Sequence, residues 1–160
     1  MKKLLSLLIA LIFIMAGCGE EQSKNEKENV SGKPKNTHES KQVDDFKVSI
    51  DVEDDLNVFA AITYVGEADE IDIYHGGSIF FFNIFQQDGN FEYESAMTQP
   101  LLTTALVRDE PHSVKFEGLE RLNLKPGTYE FEAIADISLD SDDVVGTQIK
   151  IPVSKIKVIE

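Results

Sequence analysis

Leu122-Asn123-Leu124-Lys125-Pro126-Gly127-Thr128-Tyr129-Glu130-Phe131-Glu132-Ala133-Ile134-Ala135-Asp136-Ile137-Ser138-Leu139 carries the clearest structural signal in the chain. From Tyr129 onward, Tyr129, Phe131, Ala133, Ala135, Ile137 and Leu139 recur at every second position. Successive side chains of a strand point to opposite faces, so this spacing predicts one long strand with a single face in a core. Pro126 and Gly127 stand where a type II turn places proline and glycine, because glycine takes the positive φ of the third position at little cost. The segment therefore reads as turn, then strand.

The same period of two runs outward in both directions, and helical periodicity is nearly absent. Phe46, Val48, Ile50 and Val52 alternate with polar residues, and Glu53-Asp54-Asp55 turns the chain into a second strand, Asn57 to Val65. Gly66 to Asp69 is a turn before Ile71 and Ile73. His75-Gly76-Gly77 then breaks the chain ahead of the apolar run Ser78 to Phe85. Asp88-Gly89 is a hairpin signal, with Phe91 and Tyr93 on the return. Ser95 to Pro111 is the least regular part, with a short strand at Thr103 to Val107. Val114 and Phe116 mark another strand, and Gln148 to Val158 closes the chain. Pro152 makes that last strand an edge or a bulge. Seven to nine short strands in the 115 residues from Phe46 to Glu160 predict an all-β protein, a single β-sandwich.

The turn followed by Tyr129 resembles the tyrosine corner of immunoglobulin-like domains, in which the phenol bonds back to the connection before strand F. The resemblance implies an Ig-like sandwich with the E–F corner at Lys125 to Gly127. With one cysteine and no tryptophan, phenylalanine is left to fill the core. The stretch Ile71 to Gly89, with its Tyr74-His75-Gly76-Gly77-Ser78 turn and Asp88-Gly89, is similar to the BsuPI-type proteinase-inhibitor-like Ig domains of bacilli. The aromatic segment that follows Asp-Gly in that family is reduced here to Phe91 and Tyr93. That resemblance implies an Ig-like fold and inhibition of a proteinase. The whole also resembles small bacillus-type lipoproteins.

The N-terminus carries a different message. Lys2 and Lys3 precede an apolar run from Leu4 to Met15, interrupted only by Ser6, and then Ala16, Gly17 and Cys18. A basic start, a short apolar stretch and small residues before a cut site make a secretory signal over residues 1–17. A membrane span would need roughly 20 apolar residues. Met15-Ala16-Gly17-Cys18 resembles the lipobox of bacterial lipoproteins, with Met15 where leucine is usual. The resemblance implies a diacylated Cys18, first residue of the mature chain, anchored at the extracytoplasmic face of the cell membrane. Two acyl chains are about what stable anchoring requires. The alternative is a free thiol, an odd leftover in an exported protein. Residues 18–45 then read as a disordered, flexible tether, rich in Lys, Glu, Asn, Ser and Gln and too polar to fold.

Charge narrows the partners. The chain has a formal net charge of −14, and Phe46 to Glu160 holds 8 basic and 22 acidic residues. Phosphate neutralisation is thereby excluded, so no nucleic acid is expected. Anionic headgroups repel such a domain, so contact with the membrane is expected only through the lipid anchor. Basic peptides, cations and neutral polymers stay open, although an acidic balance also serves solubility alone.

Three constellations could carry chemistry. His75-Gly76-Gly77-Ser78 is superficially like the oxyanion-hole motif of lipases, yet no Gly-x-Ser-x-Gly elbow accompanies it. A turn is the better reading, and neither an enzyme nor a cofactor is expected. Glu67, Asp69 and Glu70, with Asp140, Asp142 and Asp143, lie in loops that an Ig-like sandwich puts at one end, where their oxygens could hold Ca²⁺. Solvated loop carboxylates are the competing reading. Finally, Ile79-Phe80-Phe81-Phe82-Asn83-Ile84-Phe85 is apolar on both faces, whereas a sandwich strand usually wets one. Either Ser95 to Pro111, with Met97, Leu101, Leu102 and Leu106, covers Ile79, Phe81 and Phe85, or a partner does. The expected function is therefore that of a protein or peptide interaction module, with proteinase inhibition as its sharpest form. The alternative is a ligand- or ion-binding accessory lipoprotein of a membrane complex.

Overall fold

A computed structural model of the chain describes residues 39–96 and 100–160. The expected signal peptide, Cys18 and most of the expected tether lie outside the described residues. Ten strands and one 3-10 turn at Leu119–Leu122 make up the fold: β1 (Ser40–Val43), β2 (Phe46–Val52), β3 (Val58–Tyr64), β4 (Glu70–His75), β5 (Phe80–Gln86), β6 (Glu92–Glu94), β7 (Leu102–Val107), β8 (Pro111–Lys115), β9 (Gly127–Ser138) and β10 (Gln148–Ile159). Seven to nine strands are expected from the alternation, and each segment read as one forms a strand, β2 to β10.

The tenth strand corrects the boundary of the tether. Ser40 to Val43 pair with Phe46 to Ser49 through a tight turn in which Asp44 adopts a φ of 49°, a conformation aspartate tolerates. Only one of the four β1 residues is apolar. An edge strand of this kind needs backbone partners rather than a buried face, so it leaves no alternation to read.

One sheet runs β1-β2-β3-β8. The other runs β6-β5-β9 with β10 on the far side of β9, and β4-β7 continues it where Tyr74 pairs with Ser138. All the named strand pairs are antiparallel. The orders β2-β3-β8 and β5-β9-β10 are the A-B-E and C-F-G orders of an immunoglobulin-like sandwich. Between the sheets, Val48, Ile50, Ala60 and Ile62 face Phe80, Phe82, Ile84, Phe131 and Ile151, all buried. Ala133 and Ala135 stand directly across from Phe82 and Phe80, so the small residues of the central strand leave room for the large ones beside it. Phe116 closes the cluster, its ring centroid 5.2 Å from that of Phe82 and 5.6 Å from that of Tyr93.

Tyr129 is 1% exposed and donates its phenolic hydrogen to the Lys125 carbonyl at 2.9 Å. The corner anticipated from the sequence is therefore formed. The turn itself departs from type II, since Gly127 has a φ of 157° rather than about 80°. Gly127 already belongs to β9 and pairs with Ile159. Its φ favours glycine, and an added Cβ would lie 2.7 Å from the end of the Gln86 side chain, Nε2, which would have to move. The Asp88 carboxylate accepts the Thr128 amide at 3.2 Å, so the β5–β6 hairpin is tied to the start of β9. Leu139, expected on the buried face, lies past the end of β9 and is 41% exposed.

β10 extends the alternation in an unexpected way. Its core-facing row runs Ile149, Ile151, Val153 and then Lys155 and Lys157, paired across from Phe131 and Tyr129. Lys155 reaches Asp51 at 2.9 Å and Lys157 reaches Asp54, which stitches β10 to the other sheet. Pro152 fits because β10 has a ladder partner on one side only.

Tyr129→Phe should cost about 1 kcal/mol in a urea melt, the value of one hydrogen bond, and Tyr129→Ala about 3–5 kcal/mol, that of an aromatic core residue. The seam should show in the pH profile. Hydrogen bonding to Lys155 and Lys157 lowers the Asp51 and Asp54 carboxyls below their ordinary range, and hydrogen bonding to Asp51 raises Lys155. The carboxylate contribution is therefore present above about pH 3.9 and lost as pH falls through the lowered values. The Lys155 contribution is complete below about pH 10.4 and lost as pH rises through its raised value. The stability difference between the natural chain and Lys155→Met should be flat between those limits, shrink outside them and shrink in 1 M salt.

Candidate functional site

If the odd-numbered residues of β9 fill the core, the even-numbered ones must form the outer surface of the sheet. Strand register places them in rows. Phe81, Ile134 and Pro152 lie side by side on β5, β9 and β10. Asn83, Glu132 and Ser154 form the next row, and Phe85, Glu130 and Ile156 the next. Phe81, Phe85, Ile134 and Ile156 are half-buried by their neighbours within the sheet alone. Among the described residues, no strand lies across this face.

The expected internal cover, Ser95 to Pro111, is described only in part, and of it Pro100 and Leu101 line one cleft with Phe81. Ser95 extends the β5–β6 ladder: its amide donates to the Phe82 carbonyl at 3.2 Å and its Oγ accepts the Phe82 amide at 2.8 Å. β7 pairs with β4, which sends Leu106 into the core and leaves Leu101 and Leu102 exposed. Met97 falls outside the described residues. The expected interaction face also needs one correction. Ile79 is only 2% exposed, because the chain bends before β5 begins and the Ile79 carbonyl accepts the Asp136 amide at 2.9 Å. Phe81 and Phe85 do point outward.

The acidic residues of this face stand in two states. Glu132 accepts Asn83 Nδ2 at 2.9 Å, and Asp136 accepts Gln148 Nε2 at 2.7 Å with Lys150 3.3 Å away. Glu130 is 6% exposed between Phe85 and Ile156, and no described residue donates to it or pairs with it. Glu92 and Glu94 border the same area on β6. The sequence carried a signal for this face that the alternation alone hides, since Ile134 and Ile156 stand at positions where a wet surface would be polar.

At its β4 end the face falls into a cleft of about 560 Å³, walled by Tyr74, Phe81, Leu101 and Val144 with Asp136 and Ser138 among its polar groups. His75 stands at the cleft rim, 8% exposed, with Nδ1 2.8 Å from the Gly76 carbonyl and Nε2 2.8 Å from the Thr104 hydroxyl. Both ring nitrogens are thus engaged in holding the turn.

The two acidic loops are not brought together. β4 lies between them, since its last residues meet the end of β9 while Glu67, Asp69 and Glu70 lie at its other end. Arg108 holds that end, donating to Asp69 at 2.7 Å and to the Glu67 carbonyl at 2.7 Å. In the other loop Asp140 accepts the Asp142 amide at 2.8 Å and Asp143 accepts the Gly146 amide at 2.9 Å. Among the described residues no three His, Cys, Asp or Glu side chains are placed to hold one metal ion. The Ca²⁺ expectation for Glu67, Asp69, Glu70, Asp140, Asp142 and Asp143 is therefore set aside. Asp140 and Asp143 hold turn amides instead, and Asp69 pairs with Arg108.

No protein-family model, curated protein or solved structure matches the chain.

Thr147 organises the second loop, accepting the Asp140 amide at 3.1 Å and donating to the Asp143 carbonyl at 2.8 Å. Thr147→Val should cost about 1 kcal/mol. Millimolar Ca²⁺ should move the unfolding temperature of the full chain no further than the same concentration of Mg²⁺ does. A larger Ca²⁺ shift that disappears in Asp143→Asn would restore the metal reading.

Proposed function

We propose that the protein is a lipid-anchored lipoprotein of the extracytoplasmic membrane face whose Ig-like domain works by binding a protein or peptide, not by catalysis. The supporting observation is the outer face of the larger sheet, where Phe81, Phe85, Ile134 and Ile156 span three strands and, among the described residues, no strand lies over them. The four form two apolar pairs separated by Asn83, Glu132 and Ser154, and apolar side chains set among polar ones on a sheet face suit an interaction site. The anchor rests on the lipobox-like sequence ending at Cys18, and inhibition of a proteinase rests on the BsuPI-like resemblance alone. The cleft favours a second reading, a ligand-binding accessory lipoprotein, because its size suits a small molecule and its walls are aromatic and apolar around a few polar groups.

Envelope fractionation and capture test both parts. Cys18→Ser should move the protein from the membrane to the soluble fraction, and an intact mass showing an unmodified Cys18 in the natural chain would reject the anchor. Phe85→Ser should change stability by about 0.5–1 kcal/mol, well below the 3–5 kcal/mol of a core phenylalanine such as Phe131. Proteins captured by the natural chain should be lost from Phe85→Ser. Unchanged capture by Phe85→Ser and Phe81→Ser would reject this face as the binding surface.

A further inference from the structure

We infer that the occupant of the outer face is a basic, apolar segment of a partner protein, with a lysine or arginine seated on Glu130 and apolar side chains on Phe85 and Ile156. The inference rests on the docking reading above and adds the chemistry of the partner.

Glu130 is the observation that carries it. The residue is 6% exposed, lies on the outward row of the central strand, and has no donor or cation among the described residues. Two other buried polar residues are paired: His75 is hydrogen-bonded through both ring nitrogens, and the Ser138 hydroxyl meets that of Thr147. Most of the Glu130 side chain is covered while its carboxylate oxygens keep access to solvent from the open side, so a cation arriving from outside can pair with them directly. Phe85 and Ile156 on either side limit water, so the new pair would be stronger than one on an open surface. They also match the aliphatic stem of a lysine or arginine, which lies along apolar surface while its charged head reaches the acid.

The surroundings exclude the other occupants. Glu92, Glu94 and Glu132 border the position, while the nearest cations of β10, Lys155 and Lys157, turn to Asp51 and Asp54 of the other sheet. An anionic lipid or nucleic acid would meet four carboxylates. A calcium ion needs six to eight oxygens, and Glu130 offers one carboxylate. A free amine would leave Phe81 and Ile134 uncovered two rows further along. A second copy of the chain would bring the same carboxylates to face their own kind.

A displayed library of random heptapeptides, selected on the full-length chain in detergent micelles, tests this. Enriched peptides should carry a lysine or arginine beside apolar residues. Their affinity should fall at least tenfold for Glu130→Gln, which keeps the shape and removes the charge, and by a smaller factor for Glu130→Asp. It should change less than twofold for Asp142→Asn in the distant β9–β10 loop. Equal losses for Glu130→Gln and Asp142→Asn would mean bulk electrostatics and overturn the inference, as would peptides without a basic residue or no enrichment at all. Peptides that lack a basic residue yet lose binding in Phe85→Ser would reject the charge match and leave the docking face standing. Peptides indifferent to both Glu130→Gln and Phe85→Ser would reject the two together. A urea midpoint for each variant separates lost binding from lost fold.

Discussion

The bond from the Tyr129 phenol to the Lys125 carbonyl fixes where β9 begins and which way its faces point. Once Tyr129 is inside, the period of two sends Phe131, Ala133, Ala135 and Ile137 after it and turns Glu130, Glu132, Ile134 and Asp136 to the outside. β9 is also the strand on which the larger sheet is assembled, with β5 and β4 along one edge and β10 along the other. A slip of one residue would put carboxylates in the core and aromatic rings in water, so register is strongly specified. The hairpin contact from Asp88 to Thr128 and the close approach of Gln86 to Gly127 lock the same end of the strand a second time.

The folded part holds no cysteine, so no disulfide limits its unfolded state. Stability has to come from packing, and the core answers with aromatic contacts: Phe82 on Phe116, Tyr93 on Phe116, and Phe91 edge-on to Tyr129 at 6.0 Å. Such pairs add about 0.5–1.5 kcal/mol each beyond the area they bury. Tyr64 contributes in another way, its ring covering Gly66 and its hydroxyl accepting the Ala68 amide at 3.3 Å, so the turn into β4 is held from within the core.

What was legible in the sequence follows from what alternation can encode. Strands with one buried face, such as β2, β3 and β9, announce themselves through Val48, Ile62 or Phe131. β1 does not, because an edge strand is held by backbone groups that every residue possesses. Pairing partners are hidden for the same reason: nothing in Thr103 to Val107 says that it will join β4 instead of covering β5. The acidic loops misled because charge composition carries no distance, and β4 keeps the two groups apart. On the outer face, Phe81 and Phe85 were readable from the run of aromatics. Glu130 was not, since one glutamate in an alternating strand looks like any other solvated residue until the strands beside it supply Phe85 and Ile156.

Pro152 has a bearing on how this domain meets other chains. β10 is twelve residues long and laddered along one edge only, a length at which a bare strand invites an intruder to extend the sheet. The pyrrolidine at its middle has no amide hydrogen to offer, and the Lys155 and Lys157 side chains of its final third reach Asp51 and Asp54. Sheet extension is thus closed off on this side. Many copies could crowd together without zipping edge to edge along β10.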